Sequence, residues 1–264
     1  MCRILFLRGT KEDNTIANSL LTALVSSSKF DPTYGDTPIS HSDGYGYVFF
    51  GRSKNTVSSY HFRTTQPIFE SSEINFIKEL VSSFDTYILS IHARKALLGA
   101  INVINNHPYH FTLKNGFDYY LMHNGTLNKA EVEKIFANKA EDNLSDTYTL
   151  GLGIASNLQE MSNVKYFLSK GKELVLPTSA LNTVNIFYKT SVDFSIFLTT
   201  FYRGKENYFK TFTYEDNSFF AFFSSTLVNY LSKDLLDHIL QQANSTLIRI
   251  NDNLYEFSID KSIF

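Results

Sequence analysis

Cysteine occurs once in these 264 residues, at position 2, and tryptophan not at all. A lone cysteine excludes an internal disulfide framework and fits a reducing compartment. Long apolar runs are missing as well: none approaches the roughly 20 residues that span a bilayer. The opening, Met1-Cys2-Arg3-Ile4-Leu5-Phe6-Leu7-Arg8, is too short and too charged for a signal peptide. The formal net charge is −2, and Lys and Arg form no runs. Nucleic-acid and membrane-surface binding therefore have no support. Internal repeats, low-complexity tracts and linkers are also lacking. The expectation is a soluble cytoplasmic protein without nucleic-acid or membrane partners.

What the chain does have is aromatic bulk, 24 Phe and 16 Tyr, enough for a sizeable core. Cys2 to Leu7 reads as a buried strand, and Asn14 as the cap of a helix to about Ser26 with Ile16, Leu20, Leu21 and Leu24 on one stripe. Strands are expected at 45–50 and 57–63 around a Gly51–Asn55 turn, and at 86–94 and 118–123. Helices are expected from Ser72, from Asn128 with Glu131 at capping-box spacing, and from Asp146 to about Leu158. The last third reads as mostly β, with a helix at Leu227–Gln242 and a terminal hairpin turning at Asn251-Asp252. Hairpin-linked strands with helices grouped between them favour an antiparallel α+β layered fold over a doubly wound one.

The position of Cys2 matters more than its residue type, because a lone cysteine is usually a small buried hydrophobe. Removal of Met1 would place a thiol and an α-amine on one residue. Their reference pKa values, about 8.5 and about 8, let them share a proton without a separate histidine.

Polar clusters interrupt apolar strand ends at His41-Ser42-Asp43-Gly44-Tyr45-Gly46, His92-Ala93-Arg94, Asn105-Asn106-His107-Pro108, His123-Asn124-Gly125 and Ser145-Asp146-Thr147. Singly, these are ordinary turns or caps. In this order behind Met1-Cys2-Arg3-Ile4-Leu5, they resemble the class II glutamine amidotransferases, a branch of the N-terminal nucleophile hydrolases. The His41–Gly46 stretch is similar to a stand-alone subgroup that includes glutaminase-like proteins and the γ-glutamyl amidohydrolase of ergothioneine synthesis. The similarity is strong over residues 1–150 and weaker beyond.

The resemblance implies a four-layer αββα sandwich and one glutamine amidotransferase type 2 domain over residues 1–264. It implies that Cys2 attacks a γ-glutamyl amide, with Asn124 and the Gly125 N–H as oxyanion donors. Arg94 would take the substrate α-carboxylate and Asp146 its α-ammonium, with His92 and His123 in the same substrate pocket. A thioester is then hydrolysed to glutamate, and no metal or cofactor is needed. Glutamine or another γ-glutamyl compound is the implied small-molecule partner; a separate ammonia-accepting synthase subunit and a homodimer stay open. Tyr148 stands where the family has an acidic residue, Tyr45 where the subgroup has tryptophan, and Lys95-Ala96 departs from the usual sequel to the arginine.

Two other readings compete. His41, Asp43, His92, His107, His110, His123 and Asp146 could converge on a metal, although their spacings match no metal motif. A catalytically silent glutamine-binding or regulatory subunit would keep the pocket without turnover, and Tyr148 favours it.

Overall fold

The computed structural model describes residues 2–189 and 193–264. Met1, whose removal the nucleophile reading requires, lies outside the described residues. In chain order the elements are β1 (Arg3–Thr10), α1 (Asn14–Lys29), β2 (Tyr45–Ser53), β3 (Thr56–Thr64), α2 (Glu73–Ser83), β4 (Thr86–Ala93), β5 (Tyr109–Thr112), β6 (Asp118–Gly125), α3 (Lys129–Ile135) and α4 (Asp146–Asn157). They continue as α5 (Val164–Glu173), β7 (Leu181–Tyr188), β8 (Phe194–Thr200), α6 (Glu206–Phe209), β9 (Thr211–Glu215), β10 (Phe220–Ser224), α7 (Lys233–Leu236), β11 (Ile239–Gln241), β12 (Thr246–Asp252) and β13 (Phe257–Ile263). None of these helices is long and apolar enough to cross a membrane.

The strands form a seven-stranded sheet, β11-β9-β10-β1-β4-β2-β3, and a six-stranded sheet, β13-β12-β8-β7-β6-β5. Every pairing is antiparallel. Side-chain alternation divides the core into three layers. Leu5, Leu7, Tyr47, Phe49 and Leu89 pack with Leu20, Leu21 and Leu24 of α1 and Ile77 and Val81 of α2. Tyr119, Leu121, Leu181 and Phe187 pack with Leu150 and Ile154 of α4 and Leu168 of α5. Between the sheets lie Ile4, Phe6, Val48, Ile88, Met122, Val184 and Ile248. The architecture is the expected αββα sandwich.

This layering positions the site. Ile4 faces the inter-sheet layer, so Cys2, two residues earlier, enters the same layer. Ile4 pairs with His92, and Arg3 with Ala93. On the facing sheet Met122 points between the sheets and Asn124, two residues on, does likewise. Cys2, His92 and Asn124 therefore converge at one end of the sandwich.

Local expectations fail where tertiary pairing overrides periodicity. The helix expected at Leu227–Gln242 is a 3₁₀ turn (Ser225–Tyr230), the short α7 and the edge strand β11. Its stripe of Leu231, Leu235 and Ile239 is real and packs against the α1 core, but Ile239–Gln241 gains more by pairing with β9. Asn251 and Asp252 belong to β12, where Asp252 holds Arg8; the turn is the next four residues, with Leu254 at φ 64° and the Asn253 side chain accepting the Tyr255 and Glu256 N–H groups. Gly51 lies within β2, and the hairpin turns at Lys54-Asn55. Asn14 is the first residue of α1, not its cap, and α1 runs on to Lys29. The capping by Asn128 and Ser145 is as expected.

Candidate active site

Cys2 is buried at the start of β1, and its backbone N–H donates to Asn124 Oδ1 at 3.0 Å. With Oδ1 so engaged, Asn124 Nδ2 is buried and has no protein partner. A buried donor left unpaired costs about 1–3 kcal/mol, so this amide group is set for an acceptor the protein does not supply.

Gly125 is the last residue of β6, at φ 154°. A Cβ there would stand 1.8 Å from the Ala180 carbonyl oxygen and 2.6 Å from His123 Nε2. Only glycine fits. His123 is locked beside it: Nε2–H donates to the Ala180 carbonyl at 3.0 Å, and Nδ1 meets Thr147 Oγ1 at 2.8 Å. Burial lowers its pKa, against the opposing charge of Asp146.

Asp146 opens α4 behind the Ser145 cap, where the helix dipole favours a carboxylate. Its Oδ2 accepts the Leu127 N–H at 2.6 Å, while Oδ1 carries no hydrogen bond among the described residues. Arg94 leaves β4 with its guanidinium turned back on the next loop. Nη1 donates to the Ala100 carbonyl and Nη2 to that of Leu98, both at 3.1 Å.

These groups line one cavity. Cys2, Arg94, Leu97, Leu98, His107, His123, Gly125 and Asp146 surround about 30 Å³ of space. That is room for about one water. His92 and Asn124 are fully buried and do not line the cavity. Burial opposes ionisation of the Cys2 thiol, but the charge of His92 and of the chain's amino terminus, with the nearness of the His92 ring and the Lys95 backbone, outweigh it. The thiol is held at about 6.

The remaining motifs serve as scaffold. His41 is not in the cavity: its Nε2 contacts Asp31 at 2.8 Å. Asp43 accepts the Ala96 N–H at 2.8 Å, and the backbones of Asp43 and Gly44 pair with Arg94, so this stretch sets the course of the chain after Arg94. Asn105 ties the loop to α4 through the Ser145 N–H and the carbonyls of Ala100 and Asn143. Tyr148 packs edge-on against Tyr109, with ring centroids 5.4 Å apart.

Sequence reasoning missed Arg3 and the siting of His107. Arg3 is wholly buried, salt-bridged to Asp31, and donates to the Cys2 carbonyl at 3.3 Å. An arginine inside an apolar strand was the available signal. Among the described residues no group of three or more His, Cys, Asp or Glu could hold a metal. A larger hollow at Asp193, Asn251 and Glu256 is lined by Ser195 and Ser258 as well, with no cysteine or histidine among its described residues.

A family model described as class-II glutamine amidotransferases matches residues 17–142. That span holds His92, Arg94, His123, Asn124 and Gly125 but neither Cys2 nor Asp146. Among solved structures, the glutamine phosphoribosylpyrophosphate amidotransferase from B. subtilis aligns with TM-score 0.58 and 15% identity, over 99% of this chain and 49% of that one. A structure of the allosteric regulatory enzyme of purine biosynthesis aligns with TM-score 0.60 and 15% identity, again over 99% and 49%. At that identity the likeness speaks for the fold, and the chain spans about half the length of these proteins. A search of curated proteins finds no match. In its family-model match and its sandwich fold, the chain resembles the class-II glutamine amidotransferases, as its ordered motifs imply.

Proposed function

We propose that residues 1–264 form one glutamine amidotransferase domain that hydrolyses a γ-glutamyl amide, glutamine or a larger γ-glutamyl compound. The observation that carries this reading is the Cys2–Asn124 pair: a nucleophile backbone fixed by Oδ1, beside an amide donor with nothing to donate to.

The sulfur attacks the side-chain amide carbon, and the carbonyl π pair moves onto oxygen. Asn124 Nδ2–H and the Gly125 N–H stabilise that oxyanion, because fixed donors in a dry site need no reorganisation. Asp146 Oδ1 takes the α-ammonium, and the Arg94 fork takes the α-carboxylate in place of the Leu98 and Ala100 carbonyls. The present cavity is too small for that substrate, so the loop over 95–100 shifts as it enters. Breaking the C–N bond releases ammonia or an amine and leaves a thioester, which water converts to glutamate. In the sequence reading the base is the α-amine exposed by Met1 removal. Ammonia then leaves for solvent or for a separate synthase subunit.

The test is release of glutamate from glutamine and a small panel of γ-glutamyl amides, with Cys2→Ala as control. Cys2-dependent release from at least one supports the reading. Binding without release points to the silent glutamine-binding subunit, and no binding at all removes both.

A further inference from the structure

The side chains of β1 alternate, with Leu5 and Leu7 packing toward α1 and Ile4 and Phe6 lying between the sheets. Arg3 falls on the α1 face, where an aliphatic side chain would bury as readily, and it is wholly buried. Its charge is matched on one edge. Nε donates to Asp31 Oδ2 at 2.7 Å, and Nη2 reaches the same oxygen and Thr33 Oγ1. The guanidinium carbon lies 3.9 Å from the centre of the Tyr208 ring. Asp31 is itself held from several sides. Its Oδ1 accepts from the Thr33 N–H at 3.0 Å and from the hydroxyls of Thr33 and Thr226 at 2.7 and 2.9 Å, while His41 Nε2 meets Oδ2. A buried ion pair gains little over apolar residues of similar volume, because desolvation offsets the attraction. Stability alone does not explain an arginine here.

The other edge of the guanidinium faces the backbone. Nη1 donates to the Cys2 carbonyl at 3.3 Å and to the Tyr208 carbonyl at 3.4 Å. On the other side of the Cys2 Cα, Asn124 Oδ1 accepts the N–H at 3.0 Å. Strand pairing gives little help at this end: β10 joins β1 only from Leu5 onward, and Ser224 Oγ takes the Ile4 N–H at 2.9 Å. Side chains therefore anchor the first residues of β1. Once Met1 is removed, no peptide group precedes Cys2, and its carbonyl is the one peptide anchor left to it. Arg3 does not line the cavity, so it touches no substrate.

We propose that Arg3 is a positioning residue for the nucleophile. Asn124 holds the Cys2 nitrogen and Arg3 the Cys2 carbonyl, which together fix the Cα and aim Sγ at the carbon that the oxyanion donors present. Asp31, with Thr33, Thr226 and His41, aims the guanidinium. The role rests on the amidohydrolase reading and leaves the α-amine as base.

The test compares R3K, R3M and R3M/D31N with wild type in glutamate release, in alkylation of Cys2 by a glutamine-like diazoketone and in urea denaturation. Lysine keeps the charge but cannot hold Asp31 and the Cys2 carbonyl together. R3K should therefore lose kcat and diazoketone reactivity on the order of 10²-fold, with KM near wild type. R3M leaves Asp31 buried without its partner and should unfold at lower urea. R3M/D31N removes both charges, keeps an acceptor for Thr33 and Thr226, and should regain much of that midpoint. A purely structural role brings kcat back with stability; the positioning role leaves kcat low. Wild-type kcat in folded R3M/D31N, or an R3K loss confined to KM, overturns the proposal. If neither methionine variant folds, R3K decides: an unchanged kcat overturns the role, and a low kcat at wild-type KM and urea midpoint supports it. Alkylation without glutamate release sinks turnover alone, and the alkylation rates then judge Arg3 on the same terms. Cys2-dependent release with variants at the wild-type rate sinks the Arg3 role alone. A wild type that neither releases glutamate nor is alkylated sinks the amidohydrolase reading and the Arg3 role with it.

Discussion

Asn124 turns its two side-chain atoms to different tasks: Oδ1 accepts the Cys2 N–H at 3.0 Å, and Nδ2 is buried with no partner. Asn124→Asp keeps the shape and the acceptor while removing the donor. Losing one oxyanion donor costs about 3–4 kcal/mol of transition-state stabilisation, or roughly 10²–10³ in kcat. Glutamate-release kinetics on Asn124→Asp should show that loss in kcat with little change in KM. A loss confined to KM would move Asn124 from oxyanion stabilisation to substrate binding.

Gly125→Ala tests the neighbouring donor through its backbone. The added Cβ would collide with the Ala180 carbonyl, which is backbone and cannot swing aside. The β6–β7 pairing at Gly125 and Leu181 must open, and the His123–Ala180 hydrogen bond goes with it. Overpacking of this kind costs roughly 1–3 kcal/mol or more. Urea denaturation should show a lower midpoint together with loss of glutamate release. A stable, active Gly125→Ala chain would contradict the close approach.

The sequence made the elements legible because short apolar runs and cap spacing are local signals, and β1, β2, β4 and the Ser145 cap obey them, while the four-layer order was implied by the family resemblance. Residues 227–242 were opaque for the opposite reason: a leucine stripe at helical spacing is equally well buried by a turn, a short helix and a strand, and the choice belongs to β9. The site divides the same way. Arg94, Asn124, Gly125 and Asp146 sit at strand and helix ends and could be named from motifs. The service of His41 to Asp31, and the meeting of His107 with His92, depend on which loops cross, and spacing does not encode that.

Arg94→Lys separates charge from geometry. The guanidinium fork now spans the Leu98 and Ala100 carbonyls, the same bidentate pattern that a carboxylate would take. A lysine ammonium keeps the charge but cannot bridge both. A hydrogen bond to a charged group contributes about 1.5–3 kcal/mol, so kcat/KM for glutamine should fall roughly 10–150-fold, mostly through KM. The same variant frees the 95–100 loop, and amide exchange there should quicken. An unchanged KM would mean that the arginine serves the loop alone.

Acid stability should report the buried Arg3–Asp31–His41 cluster. For Asp31, burial opposes ionisation, but the His41 hydrogen bond and the Arg3 charge hold the carboxyl well below the usual range. Burial and the Arg3 charge outweigh the Asp31 contacts at His41, whose pKa falls to about 4. Both folded pKa values are depressed, so the unfolded chain binds more protons as pH falls, and stability must fall with it. The His41 contribution is complete above about pH 6.5 and is lost down to about 4. That of Asp31 is complete above about pH 4 and is lost as pH drops further. Urea midpoints between pH 7 and 4 should therefore decline, with a shallower slope in His41→Gln. Asp31→Asn strands Arg3 without its partner and should cost about 3–5 kcal/mol at pH 7. Equal slopes for wild type and His41→Gln would show that this histidine does not carry the acid sensitivity.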